Sequence, residues 1–466
     1  MSDAMLIQPT LLQVPLNEFA NSTLDLLSDY AEKIGMFGLT RDDVVPPVSM
    51  LSIAQQVMND GFSVSIVDMY LEEICGGDPK KLLIERIKKE NPLIVGIADM
   101  EACTMDAAIY VADTVKDINK NIITVMGGVN ATPMDEFLLN NYDNLDVIVK
   151  NEGEQTFSEL VKKSFNTKSF DDIRGITYRV GEKIKKNPPR PFMQPEEIPI
   201  PNREIYSLEK LYKVNSKVDM VFGSRGCPYN CSFCNGPSFW KRRWRGRLVE
   251  DIIKELKTIE EAGAKRFHMW DLNFGVNKKW VKRLCDAIQD EGIGLEWEVE
   301  LRVDDLKEPL IKNLRKAGCN TAFCGIESPD QAILDSVHKS YESSSQERAL
   351  KTAKKQGLNI EGGYVVGLPE DNERSISATT NQAVKYLESD LVIPLFFIFV
   401  PFPGTEIGEN PEKFGIKIEN KNFQHFHFIP PKPLASTKYL TAEEVFDLWE
   451  LGQKRIFESV NQKLKI

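Results

Sequence analysis

Two long stretches of this 466-residue chain alternate short apolar segments with amphipathic ones, and this alternation constrains the fold more than any other feature. In the first stretch, five apolar segments have the length of buried strands: Met5–Gln8, Ser63–Asp68, Leu93–Ala98, Ile122–Gly127 and Val147–Lys150. Helical periodicity fills the intervals between them. Strands that alternate with helices form parallel sheets covered on both faces. We therefore predict a flavodoxin-like or Rossmann-like α/β domain, with its ligand at the carboxyl ends of the strands.

The second alternating stretch begins near residue 218 and contains six strand–helix units. Six units fall short of a complete eight-fold barrel, so we predict a partial (β/α)6 TIM barrel. Prolines cluster between the two stretches, at 188–201, which is typical of a domain boundary. The predicted organisation is a domain at 1–165, a Pro-rich connector at 166–217, the barrel at 218–405 and a short helical C-terminal tail at 406–466. The last helix of the tail is predicted to begin at a capping box, Thr441 to Glu444.

Charge and composition exclude several classes of function. The formal net charge of −11 argues against wholesale binding to nucleic acid or to an anionic membrane. The longest apolar run, Leu391–Phe402, is too short for a transmembrane helix and contains two prolines. Eight cysteines in a chain of this length do not form the pattern of a disulfide framework and indicate a reducing compartment. We expect a cytoplasmic globular protein.

Three cysteines, Cys227, Cys231 and Cys234, follow the first predicted barrel strand in a loop rich in glycine and proline. This is the end of a barrel at which active sites are built. Thiolates are the usual ligands of iron–sulfur clusters, and three of them leave one iron of a [4Fe–4S] cube without a protein ligand. The alternative is a structural zinc site, but such a site needs four ligands and the chain has no histidine before His268.

The Cys-x3-Cys-x2-Cys spacing, with an aromatic residue before the third cysteine, resembles the signature of the radical S-adenosylmethionine (SAM) superfamily. The resemblance implies that the open iron chelates SAM and that one-electron reduction yields a 5′-deoxyadenosyl radical. It also implies an electron donor such as a flavodoxin or a ferredoxin.

Later segments, at the ends of the predicted barrel strands, resemble the same superfamily. The resemblance assigns SAM contacts to residues of the cluster loop and of these strand ends: Phe233, Asp271, Arg302, Glu327, Ser328, Gly362 and Gly367. One departure is visible, because Glu370-Asp371-Asn372 stands where the family usually has Gly-Glu-Thr.

Loops of the N-terminal domain carry a second resemblance. The paired glycines at 127–128 permit close backbone approach to a large ligand. Together with the segments at 46–50 and 151–154, they resemble the cobalamin-binding domain fused to many radical SAM enzymes, although that family more often has His where Asn130 stands. The resemblance assigns cobalamin contacts to nine residues: Pro47, Ser49, Gly127, Gly128, Asn130, Thr132, Glu152, Gly153 and Glu154. Residues 1–267 contain no histidine, so no imidazole of this domain can ligate the cobalt.

A run of cations with tryptophan, Lys241–Arg247, follows the cysteines. Arginine and tryptophan together can bind phosphate and stack on bases, which is the basis of an RNA-binding alternative. Similar segments follow the cluster loop in the cobalamin-dependent family, so a local role toward cobalamin or an anionic substrate is the favoured interpretation.

The combined resemblance predicts a cobalamin-dependent radical SAM methyltransferase that methylates an unactivated carbon, using a 5′-deoxyadenosyl radical and methylcobalamin. One alternative is a B12-associated cyclase or oxidase without methyl transfer. Another alternative, from a different class of protein, is a non-catalytic RNA-binding module whose fold is stabilised by a metal. The sequence identifies no catalytic acid or base, and it leaves the substrate open between a peptide or protein side chain and a small molecule.

Overall fold

The structure is a computed structural model, and it describes residues 2–10, 16–33, 44–165 and 169–465. The chain divides into two compact units. The first holds the described residues of 1–14 and 44–217, and the second holds those of 15–43 and 218–466. Helix α1 (Glu18–Lys33) thus belongs to the second unit, although in the sequence it follows the first strand of the first unit. Among the described residues, no helix combines the length and apolar character needed to cross a bilayer.

The first unit is built on a seven-stranded sheet. Its strands are β1 (Ala4–Gln8), β2 (Val64–Asp68), β3 (Ile94–Ala98), β4 (Ile123–Gly127), β5 (Val147–Val149), β6 (Ile176–Val180) and β7 (Lys183–Lys186). Its helices are α2 (Val48–Asn59), α3 (Met69–Ile74), α4 (Pro79–Glu90), α5 (Met105–Ile118), α6 (Asp135–Asn141), α7 (Glu154–Ser164) and α8 (Leu208–Leu211). Strands β1 to β5 pair in parallel in the order β2-β1-β3-β4-β5, which is the flavodoxin-like order. The predicted fold class of this unit is confirmed.

Most of the segment expected to be a connector folds as part of the first unit. Its first residues, 166–168, lie outside the described residues, but β6 and β7 extend the sheet antiparallel to β5. The side-chain amide of Asn187 then donates to the carbonyls of Phe170 and Ile173, at 2.6 and 2.7 Å. The hairpin escapes sequence analysis because β7, Lys-Ile-Lys-Lys, is an exposed edge strand with a single apolar residue.

The second unit contains a six-stranded parallel sheet whose strands follow chain order. The strands of this unit are β8 (Val218–Val221), β9 (Ser224–Arg225), β10 (Arg245–Gly246), β11 (Arg266–Met269), β12 (Glu296–Arg302), β13 (Cys319–Glu327), β14 (Asn359–Val366), β15 (Ile393–Ile398), β16 (Lys417–Ile418) and β17 (Ala435–Ser436). Strands β8, β11, β12, β13, β14 and β15 form the sheet, with helices between them. This arrangement confirms the predicted partial barrel.

The helices of the second unit, besides α1, are α9 (Gly236–Trp240), α10 (Val249–Glu261), α11 (Lys278–Asp290), α12 (Glu308–Lys316), α13 (Gln331–Ser336), α14 (Gln346–Lys355), α15 (Glu373–Glu388), α16 (Glu406–Glu409) and α17 (Ala442–Leu464). The capping box at Thr441 is confirmed: its hydroxyl accepts from the Glu444 N–H and its own N–H donates to the Glu444 carboxylate. Trp449, buried on α17, donates its indole N–H to the Phe396 carbonyl at 3.1 Å, so the last helix packs on β15.

Candidate functional site

The three cysteines lie in the loop between β9 and α9, at the carboxyl end of β8. Gly226 opens this loop with a φ of +85°, and a Cβ there would lie 1.9 Å from the carbonyl oxygen of Arg243. Only glycine fits such a position. Farther along, the Ser232 N–H donates to the Val337 carbonyl at 3.2 Å, and the Ile407 N–H donates to the Ser232 carbonyl at 3.1 Å. The loop is therefore fixed to two later segments of the same unit.

The surroundings of the thiols fit an iron–sulfur cluster. Burial raises the pKa of Cys234 to about 12 and also raises the pKa of Cys227, where the positive charges of Arg302 and Lys339 oppose the shift. The Gly236 N–H donates to the Cys234 sulfur at 3.3 Å, a bond that stabilises a sulfur carrying negative charge. Within the described ranges, no three His, Cys, Asp or Glu side chains converge as a preformed site for a single metal ion. The donor set suits a cluster with one open iron better than a four-ligand zinc site.

Arg302, at the end of β12, is held beside the cysteine loop. Its guanidinium carbon lies 3.9 Å from the ring centre of Tyr229, which stands between the first two cysteines. Asp304 accepts from Nε at 2.9 Å and from one terminal nitrogen at 3.4 Å. Arg302 is 5% exposed, and among the described residues its guanidinium donates hydrogen bonds only to Asp304, which leaves N–H groups that can bind a carboxylate.

At the end of β13, Glu327 forms a buried ion pair with Lys339, with Nζ 2.7 Å from a carboxylate oxygen. Glu327 has a positive φ of 62°, which is uncommon for a residue other than glycine and is typical of functional sites. Burial alone would lower the pKa of Lys339, but the charges of Glu327 and Cys231 raise it above its usual value. The same ammonium lies 6.0 Å from the ring centre of Phe233. The structure thus brings Phe233, Glu327 and the cysteine loop together around Lys339.

Four other predicted SAM contacts are already engaged within the unit. Buried Asp271 accepts from the N–H of Gly223 and from the hydroxyl of Ser224, and burial raises its pKa to about 6. Ser328 shares a hydrogen bond of 3.0 Å with Thr379. A Cβ on Gly362 would lie 2.5 Å from a methyl of Val392, so this glycine serves close packing.

The fourth, Gly367, has a φ of +84° and donates its N–H to the Asp371 carboxylate at 2.9 Å. Asp371 also accepts from the Leu368 N–H at 3.0 Å, and burial raises its pKa to about 7. Asn372 caps α15 through a capping box. The unusual Glu370-Asp371-Asn372 segment therefore supports its loop through its own side chains.

Sequence reasoning did not select Glu300, which the structure places among the site residues. Alternation along β12 puts Glu298, Glu300 and Arg302 on one face. Glu298 is paired with His268 of β11, whereas half-buried Glu300 makes no hydrogen bond or ion pair with another described residue. Burial, followed by the charges of Asp271 and Glu298, raises the pKa of Glu300 to about 8. The available signal was the pattern Glu-x-Glu-x-Arg, because strands of parallel sheets are normally apolar on both faces.

In the first unit, the loop after β4 is built around Asp99. Gly128 has a φ of +138°, and a Cβ there would lie 2.2 Å from the Asp99 carbonyl oxygen. The Asn130 side chain donates to one carboxylate oxygen of Asp99 at 2.9 Å. The other, Oδ1, is buried without a hydrogen-bond partner among the described residues, and burial raises the pKa of Asp99 to about 7. Thr132 accepts from the Asn151 N–H at 3.1 Å, which ties this loop to the one after β5.

The remaining predicted cobalamin contacts surround the same edge of the sheet. Glu152 accepts from the Met193 N–H at 2.8 Å, and Glu154 accepts from the Ser52 hydroxyl at 3.0 Å, so both buried carboxylates are bound internally. Gly153 precedes α7, where a Cβ would lie 3.1 Å from Ile53. The others are placed as follows: Pro47 directly before α2, exposed Ser49 in its first turn, and Gly127 at the end of β4.

These residues fit a large polar ligand. Glycine backbone, the Asn130 amide and an unpaired carboxyl oxygen lie at the carboxyl ends of β3 and β4, where flavodoxin-like sheets bind ligands. Because the unit has no histidine, a cobalamin held here would receive no imidazole from it.

Comparison with protein families gives two matches. The model of the Radical SAM superfamily matches residues 221–383, and the model of the B12 binding domain matches residues 36–161. A protein of Pyrococcus horikoshii, named as an uncharacterized methyltransferase, is 33% identical over 405 residues, which cover 86% of each chain. The anaerobic magnesium-protoporphyrin IX monomethyl ester cyclase of Rubrivivax gelatinosus is 26% identical over 401 residues, covering 83% of this chain and 69% of that protein.

Two solved structures share the fold. TsrM, a radical SAM methyltransferase from Kitasatospora setae with cobalamin and a [4Fe-4S] cluster bound, superposes with a TM-score of 0.70 at 15% identity, covering 99% of this chain and 100% of that one. OxsB, a cobalamin-dependent radical SAM enzyme with aqua-cobalamin and SAM bound, gives a TM-score of 0.75 at 17% identity, covering 97% of this chain and 66% of that one. Taken with the two family matches and the relative at 33% identity, the described site identifies the chain as a member of the cobalamin-dependent radical SAM methyltransferase family.

Proposed function

We propose that this protein transfers a methyl group from SAM, by way of cobalamin, to an unactivated carbon atom of its substrate. The observation that carries the proposal is the loop of three cysteines beside buried Arg302 and Lys339, at the carboxyl end of a parallel barrel sheet. When bound, the cluster and SAM supply a radical that removes hydrogen, and cobalamin supplies the methyl group.

Cys227, Cys231 and Cys234 would hold the [4Fe–4S] cluster and leave one iron to SAM. The Gly236 N–H, bonded to the Cys234 sulfur, would stabilise that sulfur as a thiolate. The positive charge of Lys339 acts in the same direction on the cysteine loop.

Arg302 would bind the SAM carboxylate, because Tyr229 and Asp304 fix its guanidinium while leaving N–H groups unused. Phe233 would line the adenine side of SAM. Glu327, oriented by Lys339, would accept from the ribose hydroxyls. The other four predicted contacts would support the site without binding SAM directly, because they already form hydrogen bonds or close packing contacts within the unit: Asp271, Ser328, Gly362 and Gly367.

Glu300 would contact the substrate. With a pKa of about 8 its carboxyl is largely protonated at neutral pH, so it can donate one hydrogen bond. The matching substrate group is an acceptor such as a carbonyl or a carboxylate.

The first unit would bind cobalamin along the loops after β3, β4 and β5. Gly127 and Gly128 would allow the backbone to approach the ligand, and Asn130, oriented by Asp99, would present its amide. Six further residues would complete the contacts: Pro47, Ser49, Thr132, Glu152, Gly153 and Glu154. Because this unit has no histidine, it would hold cobalamin without supplying an imidazole ligand.

Labelled SAM tests the proposal without knowledge of the substrate. The anaerobically reconstituted protein, given SAM with a deuterated methyl group, a reductant and cob(I)alamin, is expected to carry the label to cobalamin and to form 5′-deoxyadenosine. Cys75→Ala, which removes an exposed thiol outside the loop, serves as the control. One bound zinc ion without iron would overturn the proposal.

Relatives named as cyclases favour a second candidate, in which cobalamin assists a radical cyclisation or oxidation. A product without added mass, formed while the label stays off cobalamin, would support it.

All eight cysteines are free, which supports placing the protein in a reducing cytoplasm.

A further inference from the structure

Three consecutive cations, Lys241, Arg242 and Arg243, are exposed on the second unit and have no role in the site described above. The rest of the basic run is different. Arg247 is buried in an ion pair with Glu255 at 2.7 Å, and Arg245 lies over the ring of Trp240. The surface formed by residues 241–243 is therefore the accessible part of the run, and we name it the basic patch.

The backbone of the basic patch is held in an uncommon conformation. Lys241 and Arg242 both have positive φ angles, 51° and 57°. A positive φ is unfavourable for residues other than glycine, so two in succession persist only where the surrounding structure imposes them. This conformation occurs within three consecutive exposed cations.

The basic patch touches the cysteine loop directly. Arg242 donates from Nε to the Pro228 carbonyl at 3.2 Å, and the Arg243 carbonyl occupies the space that a Cβ of Gly226 would fill. Gly226 and Pro228 flank Cys227 in the sequence. The patch thus contacts the residues on both sides of one proposed cluster ligand.

The charges of the basic patch are not neutralised within the described parts of the chain, where none of its three side chains forms an ion pair. The protein as a whole has a net charge of −11, so the patch is a local exception that would attract an anionic partner. The two neighbouring tryptophans are only partly exposed, and each ring contacts another aromatic ring. Trp240 packs on Phe239, with ring centres 4.9 Å apart, and Trp244 packs on Trp280 at 5.6 Å. This favours an acidic protein over RNA.

We propose that the basic patch docks an acidic one-electron carrier protein, of the flavodoxin or ferredoxin kind, which reduces the cluster; the inference rests on the proposed function, because that function requires a reductant at this loop. In the step, the carrier loses one electron and the cluster gains it, with no proton or bond change. Long-range attraction raises the rate of encounter, and salt screens it.

The test is the rate at which reduced flavodoxin bleaches the visible absorbance of the reconstituted cluster, measured anaerobically without SAM. For the wild type, the rate should fall several-fold between about 0.05 and 0.5 M salt. The K241E/R242E/R243E variant should be slower by about tenfold or more at low salt and should lose the salt dependence. The matched control, K279E/K316E/K355E, makes the same change in net charge at exposed lysines of α11, α12 and α14, and it should stay within twofold of wild type.

Reduction by reduced methyl viologen, a small cation, separates docking from damage to the site. It should proceed within about twofold of wild type in both triple variants. If charge reversal prevents cluster loading, K241Q/R243Q keeps the bond from Arg242 to Pro228 and should still slow flavodoxin selectively. Equal slowing in patch and control variants, or a salt-independent wild-type rate, would overturn the proposal. Loss of cobalamin from the patch variant would also overturn the proposal, because it would show that the basic patch binds the cofactor. No bleaching by either reductant would instead count against the cluster itself.

Discussion

The barrel unit and the flavodoxin-like unit both place their ligand loops at the carboxyl ends of parallel strands, but they equip those loops with different chemistry. In the barrel, the site is made of charges that hold one another, such as Glu327 with Lys339 and Arg302 with Asp304. In the other unit, the loops present glycine backbone and an amide, and a buried oxygen of Asp99 has no hydrogen-bond partner among the described residues. A charged site depends on a few side chains at fixed spacing. A backbone-lined site depends on the path of the chain.

The largest effect should come from the cluster ligands. Cys231→Ala removes one of three thiolates and is expected to reduce 5′-deoxyadenosine formation to background, together with bound iron. Cobalamin binding in the first unit should persist, which can be measured by its absorbance after desalting. Loss of both cofactors in this variant would contradict the view that the two sites form independently.

Next in size is the buried ion pair of the barrel. Lys339→Met leaves the Glu327 carboxylate buried without its partner, and breaking a buried pair in this way typically costs about 3–5 kcal/mol. The double variant E327Q/K339M should recover most of that loss, because neither charge remains. All six tryptophans lie in the second unit, so their fluorescence during urea unfolding reports on the barrel alone. If the double variant is as unstable as the single one, the two charges are not coupled.

Glycine substitutions compare the two units on equal terms. Gly226→Ala and Gly128→Ala each place a Cβ against a backbone oxygen at a residue with positive φ. The steric contact should lower the free energy of unfolding by about 1–3 kcal/mol, beyond the loss caused by placing alanine at a positive φ. Gly263 and Gly61 have positive φ but nothing within 4 Å, and their alanine variants measure that conformational cost alone. Gly226→Ala should lower iron content and leave cobalamin bound, and Gly128→Ala should do the reverse. Equal losses in test and control variants would show that the contacts carry no cost.

The same contrast explains what the sequence could predict. Cluster chemistry requires thiolates at set intervals, so Cys227, Cys231 and Cys234 could be selected without a fold. The alternation of strand-like and helical segments predicted the six strands of the barrel sheet. The hairpin of β6 and β7 escaped because an exposed edge strand needs few apolar residues. The membership of α1 in the second unit also escaped. That membership depends on distant contacts such as Phe19 with Phe457, whose ring centres lie 5.3 Å apart, and no local periodicity encodes them.

The last prediction is a pH dependence that compares two buried acids, Asp99 of the first unit and Glu300 of the second, for which no ion pair is found among the described residues. Burial favours the protonated form of Asp99 in the folded state, with a pKa of about 7 against 3.8 for an exposed aspartate. Between these values the folded chain binds more protons than the unfolded chain, so the free energy of unfolding falls as pH rises, by at most about 1.4 kcal/mol per pH unit. Asp99→Asn does not titrate and should therefore gain stability relative to wild type from pH 5 to 7, and little beyond.

Hydrogen exchange of peptides from β3 and β4 measures this difference within the first unit. The counterpart in the barrel is Glu300→Gln, which should gain relative to wild type up to about pH 8, since burial raises the pKa of Glu300 to about 8. A wild-type to D99N difference that stays flat between pH 5 and 7 would mean that Asp99 is already ionised in the folded protein. The orphaned oxygen would then have a cation or an N–H donor as a partner, and the first unit would resemble the barrel in pairing its buried charges.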